Sequence, residues 1–247
     1  MRLATKAGFA LLAAVTLLLW QVGRADAAAI LWGSPNTISG NTDVDTTGTL
    51  VGAFNMGGTG VPTTTVNGVT FTGIALSGTT VTSGNFTFTQ TGVGWLSSNI
   101  TSANAPFAAL SASYQNLISW IAGDTTNPAT ITMSGLTVGA KYEFEWWTND
   151  SNGFQFVTTA TAVNSVSLTT NTTGADGGVG QFDIGTFTAD ASSETITFSS
   201  GVQDIISGFE LRQTAAAAPE PASLALLVVG LAGLGIARRR SKAARGN

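Results

Sequence analysis

Glu143 and Glu145, in the stretch KYEFEWWT, are the only closely paired glutamates in this 247-residue sequence. Alternate residues of a strand lie about 6.5 to 7 Å apart, near the carboxyl separation used by inverting glycosidases. Glycoside hydrolysis needs two carboxyls that flank the scissile bond from opposite sides, whereas neighbours along one strand point in parallel. The pair therefore reads as a solvated strand face. Trp147 falls on that same face. An exposed indole there, beside Glu145 and Asn149, would stack on a sugar ring while the polar side chains bond its hydroxyls. The alternative is a Trp147 covered by a neighbouring loop.

A second constellation is Asn41-Thr42-Asp43-Val44-Asp45, with three oxygen side chains at alternate positions as in the first half of a calcium loop. Its second half departs from that pattern: Thr46 stands where a glycine is expected and Gly52 where the bidentate glutamate would fall. Two readings stand side by side, a structural calcium held by Asn41, Asp43 and Asp45 with backbone carbonyls, and a solvated turn. No other cofactor is expected. The chain has no cysteine and no histidine, which removes disulfides, thiol nucleophiles, Cys/His zinc sites and any Ser-His-Asp arrangement.

Between residues 28 and 214, Lys141 and Arg212 are the two bases against twelve acids. The whole-chain balance of −4 conceals this, because the remaining bases lie in the terminal segments. Such a surface cannot neutralise phosphates and release their counterions, so nucleic acid is excluded as a partner. Neutral glycans and divalent cations remain.

These side chains must be positioned by strands. TTVNGVTF, VTSGNFTFTQ, ATITMSGL, KYEFEWWT, VNSVSLTT, ETITFSS and SGFELRQ alternate with period two and are separated by Gly- or Asn-containing turns. The pattern predicts an all-β fold, an antiparallel β-sandwich or jelly roll. Tyr142, Phe144 and Trp146 should face its core, together with Ile131 and Met133, Ile196 and Phe198, and Phe209 and Leu211. One helical piece is expected at Tyr114 to Gly123, with Leu117, Ile118 and Ile121 as its apolar stripe.

The two ends read differently. Arg2 and Lys6 precede an apolar run from Ala7 to Trp20, and Ala25-Asp26-Ala27 offers the small residues a signal peptidase reads. A Sec-type signal helix cleaved after Ala27 is expected. At the other end, Pro219-Glu220-Pro221 is followed by an apolar stretch at 222–237 and by Arg238, Arg239 and Arg240. A helix over 222–237 would be about 24 Å long, short of the ~30 Å hydrocarbon core. Bilayer thinning and snorkelling of the arginines close that gap, and the cations hold the tail on the cytoplasmic side.

Ala218 to Arg240 resembles the PEP-CTERM sorting signal of exported Gram-negative bacterial proteins. The resemblance implies processing near the Pro-Glu-Pro element by a membrane-embedded, transpeptidase-like exosortase, and delivery to the cell surface or an exopolysaccharide matrix. An unprocessed anchor is the alternative.

The expected organisation is therefore a signal peptide at 1–27, a β-sandwich domain at 28–214, a linker at 215–221, a transmembrane helix at 222–237 and a basic cytoplasmic tail at 238–247. The expected function is that of a surface or matrix protein without catalysis, in contact with polysaccharide. The alternative is a carbohydrate-active enzyme that uses carboxylates alone.

Overall fold

The computed structural model describes residues 29–90, 96–124 and 128–215. Threonine and valine alternating with aromatic residues form pleated strands because branched and ring side chains pack well on a half-buried sheet surface. The larger sheet runs β1 (Leu31–Trp32), β14 (Gln181–Thr188), β11 (Lys141–Thr148), β17 (Gly208–Ala215), β3 (Thr49–Gly57), β5 (Val69–Ala75) and β4 (Thr64–Val66); the short β2 (Asn36–Thr37) also pairs with β14. Facing it is a sheet in the order β13 (Asn164–Thr169), β12 (Val157–Ala162), β15 (Ser193–Ser199), β10 (Ala129–Ser134), β7 (Phe86–Gln90) and β6 (Thr80–Ser83). A small third sheet, β16 (Asp204–Ile206), β9 (Trp120–Asp124) and β8 (Leu96–Asn99), lies at one end.

The expected antiparallel pairing holds between these strands with one departure, since β3 and β5 run parallel. The chain leaves β3 at Gly57 and makes the β4–β5 hairpin, so that β5 returns in the same direction as β3. That hairpin turns on Asn67-Gly68, both left-handed with φ of 48° and 80°. An Asn-Gly pair favours this two-residue turn because both central positions need positive φ.

Between the two large sheets lies an aromatic and aliphatic core. Tyr142, Phe144 and Trp146 are buried in it as their alternation predicts, along with Ile131, Met133, Ile196, Phe198, Phe209 and Leu211. Phe209 is its hub: its ring sits 5.2 Å from Phe144, 5.3 Å from Phe54 and 5.6 Å from Phe86, centroid to centroid.

The opposite face of the larger sheet is not the solvated surface expected from the sequence. It carries a second core, in which Ala53, Val69, Phe71, Trp147 and Phe182 of the strands meet Ile38, Val44, Phe107, Tyr114, Leu117 and Ile118 from overlying segments. The sequence offers no period-two signal for this layer because its cover is irregular chain and one short helix.

That helix, α1 (Ala112–Ser119), begins two residues earlier and ends four residues sooner than its apolar stripe suggests. Ser111 caps it, its Oγ accepting from the Tyr114 N–H at 3.2 Å. Trp120 already has extended backbone, and Ile121 is buried from β9 rather than from the helix. The helix can lie close to the sheet because of Gly208: a Cβ there would come within 2.7 Å of Leu117 and 2.9 Å of the Phe54 carbonyl.

Among the described residues no helix is long and apolar enough to cross a membrane. The expected signal peptide at 1–27, Pro219-Glu220-Pro221, the helix at 222–237, Arg238 to Arg240 and the tail at 238–247 all lie outside the described residues.

Candidate functional site

The carboxylates that the sequence singles out converge where the segment around Asp45 crosses β11 and β17. Alternation puts Glu143, Glu145 and Trp147 on one face of β11. The β11–β17 register sets Glu143 opposite Arg212 and Glu145 opposite Glu210. Glu145 is 0% exposed and Glu210 1%. Glu145 Oε2 accepts the Asp45 backbone N–H at 3.0 Å, which fastens the crossing segment to the sheet. Glu210 Oε1 accepts from Arg212 Nε at 3.1 Å. Arg212 in turn reaches the Thr47 carbonyl at 3.4 Å through Nη1.

Glu145 Oε1 and Glu210 Oε2 are buried with no other hydrogen-bond partner, and the two carboxyls lie against each other. Such contact between two carboxyls disfavours ionising both. Burial lifts Glu145 well above the usual carboxylate range, against the pull of the Asp45 N–H, and the charge of Glu210 adds to the rise. Burial raises Glu210 too, but the Arg212 guanidinium opposes that shift.

Glu143 lies against Asp45 in the same way. Glu143 is pushed up to about 7, by burial first and then by Asp45, while Arg212 pulls it down. Asp45 ends below its ordinary value: burial raises it, but hydrogen bonds from the Thr47 hydroxyl, from Glu143 and from the backbone N–H groups of Thr47 and Thr46 prevail. Four carboxyls and one guanidinium thus cluster beneath the crossing segment. Glu143 and Glu145 are not the solvated pair expected from the sequence, nor do they flank an open cleft.

Trp147 lies on the expected face but is 0% exposed, edge-on to Phe71 at 5.6 Å. Its Nε1–H donates to the Tyr114 hydroxyl at 3.0 Å, and that hydroxyl donates to Asp43 Oδ2 at 2.9 Å. Burial, followed by the charge of Asp43, raises the Tyr114 phenol far above its ordinary value. Asn149 is also fully buried, donating to the Ile118 carbonyl at 3.2 Å and accepting the Gly180 N–H at 2.8 Å. The expectation that Trp147, Glu145 and Asn149 present a sugar platform is overturned, because the second core covers all three.

The oxygens of Asn41, Asp43 and Asp45 are engaged elsewhere. Asn41 Oδ1 accepts from Ser111 Oγ at 2.6 Å. Asp43 accepts the Ser39 and Gly40 N–H groups, the Ser39 hydroxyl and the Tyr114 hydroxyl, closing the short 3-10 turn Asn41–Asp43. Asp45 takes the Thr47 N–H and hydroxyl. These side chains diverge, and among the described residues no three acidic groups gather as metal ligands.

Sequence reasoning missed Glu210, Arg212 and Tyr114. The signal for two of them was present in SGFELRQ: a glutamate and one of only two domain bases, two residues apart, must share a strand face.

Fold and site together describe a mostly β protein, a sandwich in which Asp43, Glu145 and Glu210 help hold the overlying segments and strands together. The chain carries a PEP-CTERM protein-sorting motif at residues 217–241, in agreement with the resemblance read over Ala218 to Arg240. The motif marks an exported protein that is processed at the membrane, and it implies processing by exosortase.

No curated protein matches the sequence. Among solved structures, Bacteroides uniformis beta-glucuronidase 2, covalently bound to cyclophellitol-6-carboxylate aziridine, is similar over 66% of this chain at 15% identity and a TM-score of 0.44. This chain spans only 17% of the length of that one. A structure of carbohydrate-binding modules from the beta-sandwich superfamily aligns over 56% of this chain and 66% of its own, at 13% identity and a TM-score of 0.17.

Proposed function

We propose that this protein is a non-catalytic component of the cell surface or extracellular matrix, delivered by its sorting motif and in contact with exopolysaccharide. One observation carries the reading: the motif begins at residue 217, two residues beyond Ala215, the last residue of β17. The sandwich is therefore joined to its sorting signal with almost no linker. The clustered carboxyls support a role without catalysis, since Glu145 holds the Asp45 N–H, Glu210 pairs with Arg212 and Glu143 lies against Asp45 beneath a covering segment. The excess of twelve acids over two bases in residues 28–214 favours neutral glycans over anionic ones.

Fractionation of the producing cells, with intact mass of the recovered protein, tests the reading. The expected species starts at Ala28, ends near Pro219-Glu220-Pro221 and is found at the surface or in the medium. A full-length species in the cytosol would refute it. Release of reducing ends from polysaccharide by the wild-type chain, lost in Glu143→Gln, would replace it with the enzymatic alternative.

A further inference from the structure

At the end of the sandwich away from Ala215, two irregular loops, 149–156 and 170–180, are tied together by buried polar side chains. Asn171 donates to the carbonyls of Asp150 at 2.9 Å and Ala175 at 3.0 Å, and its Oδ1 accepts from the Thr173 N–H and hydroxyl and from the Gly174 N–H. Thr170 Oγ1 donates to the Phe154 carbonyl at 2.7 Å and accepts the Phe156 N–H at 2.9 Å, gripping the backbone on both sides of Gln155. Gln155 Nε2 closes the pair of loops on the Asn171 carbonyl at 2.9 Å. Asn149, Thr170 and Asn171 are all fully buried.

What this scaffold presents is Phe154, which is 58% exposed. Its ring lies parallel to that of Phe156, 5.8 Å between centroids and 5° between planes. Phe156 packs inward against the cluster of Ile100, Ile121 and Ile205. Phe154 is thus held beside a ring anchored in the molecule, while more than half of its own surface meets solvent. The exposed polar side chains on the two loops are the amides and hydroxyls of Asn152, Gln155, Thr172 and Thr173 and the carboxylate of Asp176, with no base among them.

We infer that Phe154 is a stacking platform for a sugar ring of a neutral polysaccharide, with Asn152, Gln155 and Thr173 bonding its hydroxyls. The inference rests on the glycan-contact reading above and gives it a site. The C–H face of a pyranose packs on an aromatic face, and amides and hydroxyls bond its rim without requiring charge. Rigid loops reduce the entropy lost on binding. β11 spans about 25 Å between the two ends of the sheet, and Ala215 pairs with Lys141 at the near end. A chain tethered beyond Ala215 therefore holds Phe154 outward, where matrix polymer would be met.

The test is co-sedimentation of the full chain, in detergent, with microcrystalline cellulose, chitin and insoluble β-1,3-glucan, alongside affinity electrophoresis in alginate. Retention by at least one neutral polymer is expected, with Phe154→Ala binding about tenfold or more weakly, Phe154→Trp binding as wild type, and an unchanged melting temperature in both. Retention that survives Phe154→Ala overturns this site while leaving glycan contact standing. Binding to alginate alone overturns the neutral-sugar assignment. Failure of the wild type to bind any of the four polymers overturns the inference and the glycan contact together.

Discussion

Glu145 and Glu210 face each other across β11 and β17, both buried, while Arg212 Nε pairs with Glu210 at 3.1 Å. A proton held by the folded chain and released on unfolding makes stability depend on pH. Glu143, raised to about 7, Asp183, raised to about 6 by burial, and Glu145, raised by burial, all bind protons more tightly when folded. The contributions of Asp183 and Glu143 are fully present below their unfolded values of 3.8 and 4.5 and are lost as pH rises through about 6 and about 7. The melting temperature should fall between pH 5 and pH 8, on the order of 5 °C. Glu143→Gln should flatten that slope. A profile that rises with pH over this interval would refute these upward shifts.

Arg212 should be intolerant of truncation. Arg212→Met leaves Glu210 buried without its partner and should cost about 3–5 kcal/mol in urea unfolding. Combining it with Glu210→Gln should recover much of the loss, because no orphan charge remains. Additive effects of the two substitutions would mean the pair is not coupled.

Trp147 serves packing. Trp147→Ala should cost about 3–5 kcal/mol by opening a cavity against Phe71, and Trp147→Phe about 1–3 kcal/mol through loss of the bond to Tyr114. Chemical denaturation measures both. If Trp147→Ala abolished glycan retention at unchanged stability, the second core would not cover it.

The 39–45 turn should stand without metal. Chelator is expected to leave the melting temperature unchanged. Asp43→Ala, which removes the acceptor of four hydrogen bonds, should lower stability by about 1–3 kcal/mol. Destabilisation by chelator, reversed by calcium, would reinstate Asn41, Asp43 and Asp45 as ligands.

Much of this protein was legible in its residues. Period-two alternation gave the inner faces of β10, β11, β15 and β17, because one buried sheet face must read as every second residue. The sorting tail was equally plain, since its Pro-Glu-Pro, apolar and arginine parts are contiguous in the chain. The fate of the other face of β11 was not local. Glu143, Glu145 and Trp147 look solvated along their own strand, and only the arrival of Asp45, Tyr114 and α1 from distant parts of the chain buries them. Sequence alone fixed which residues share a face; tertiary structure decided what covers that face, because burial belongs to the neighbours a residue acquires in space.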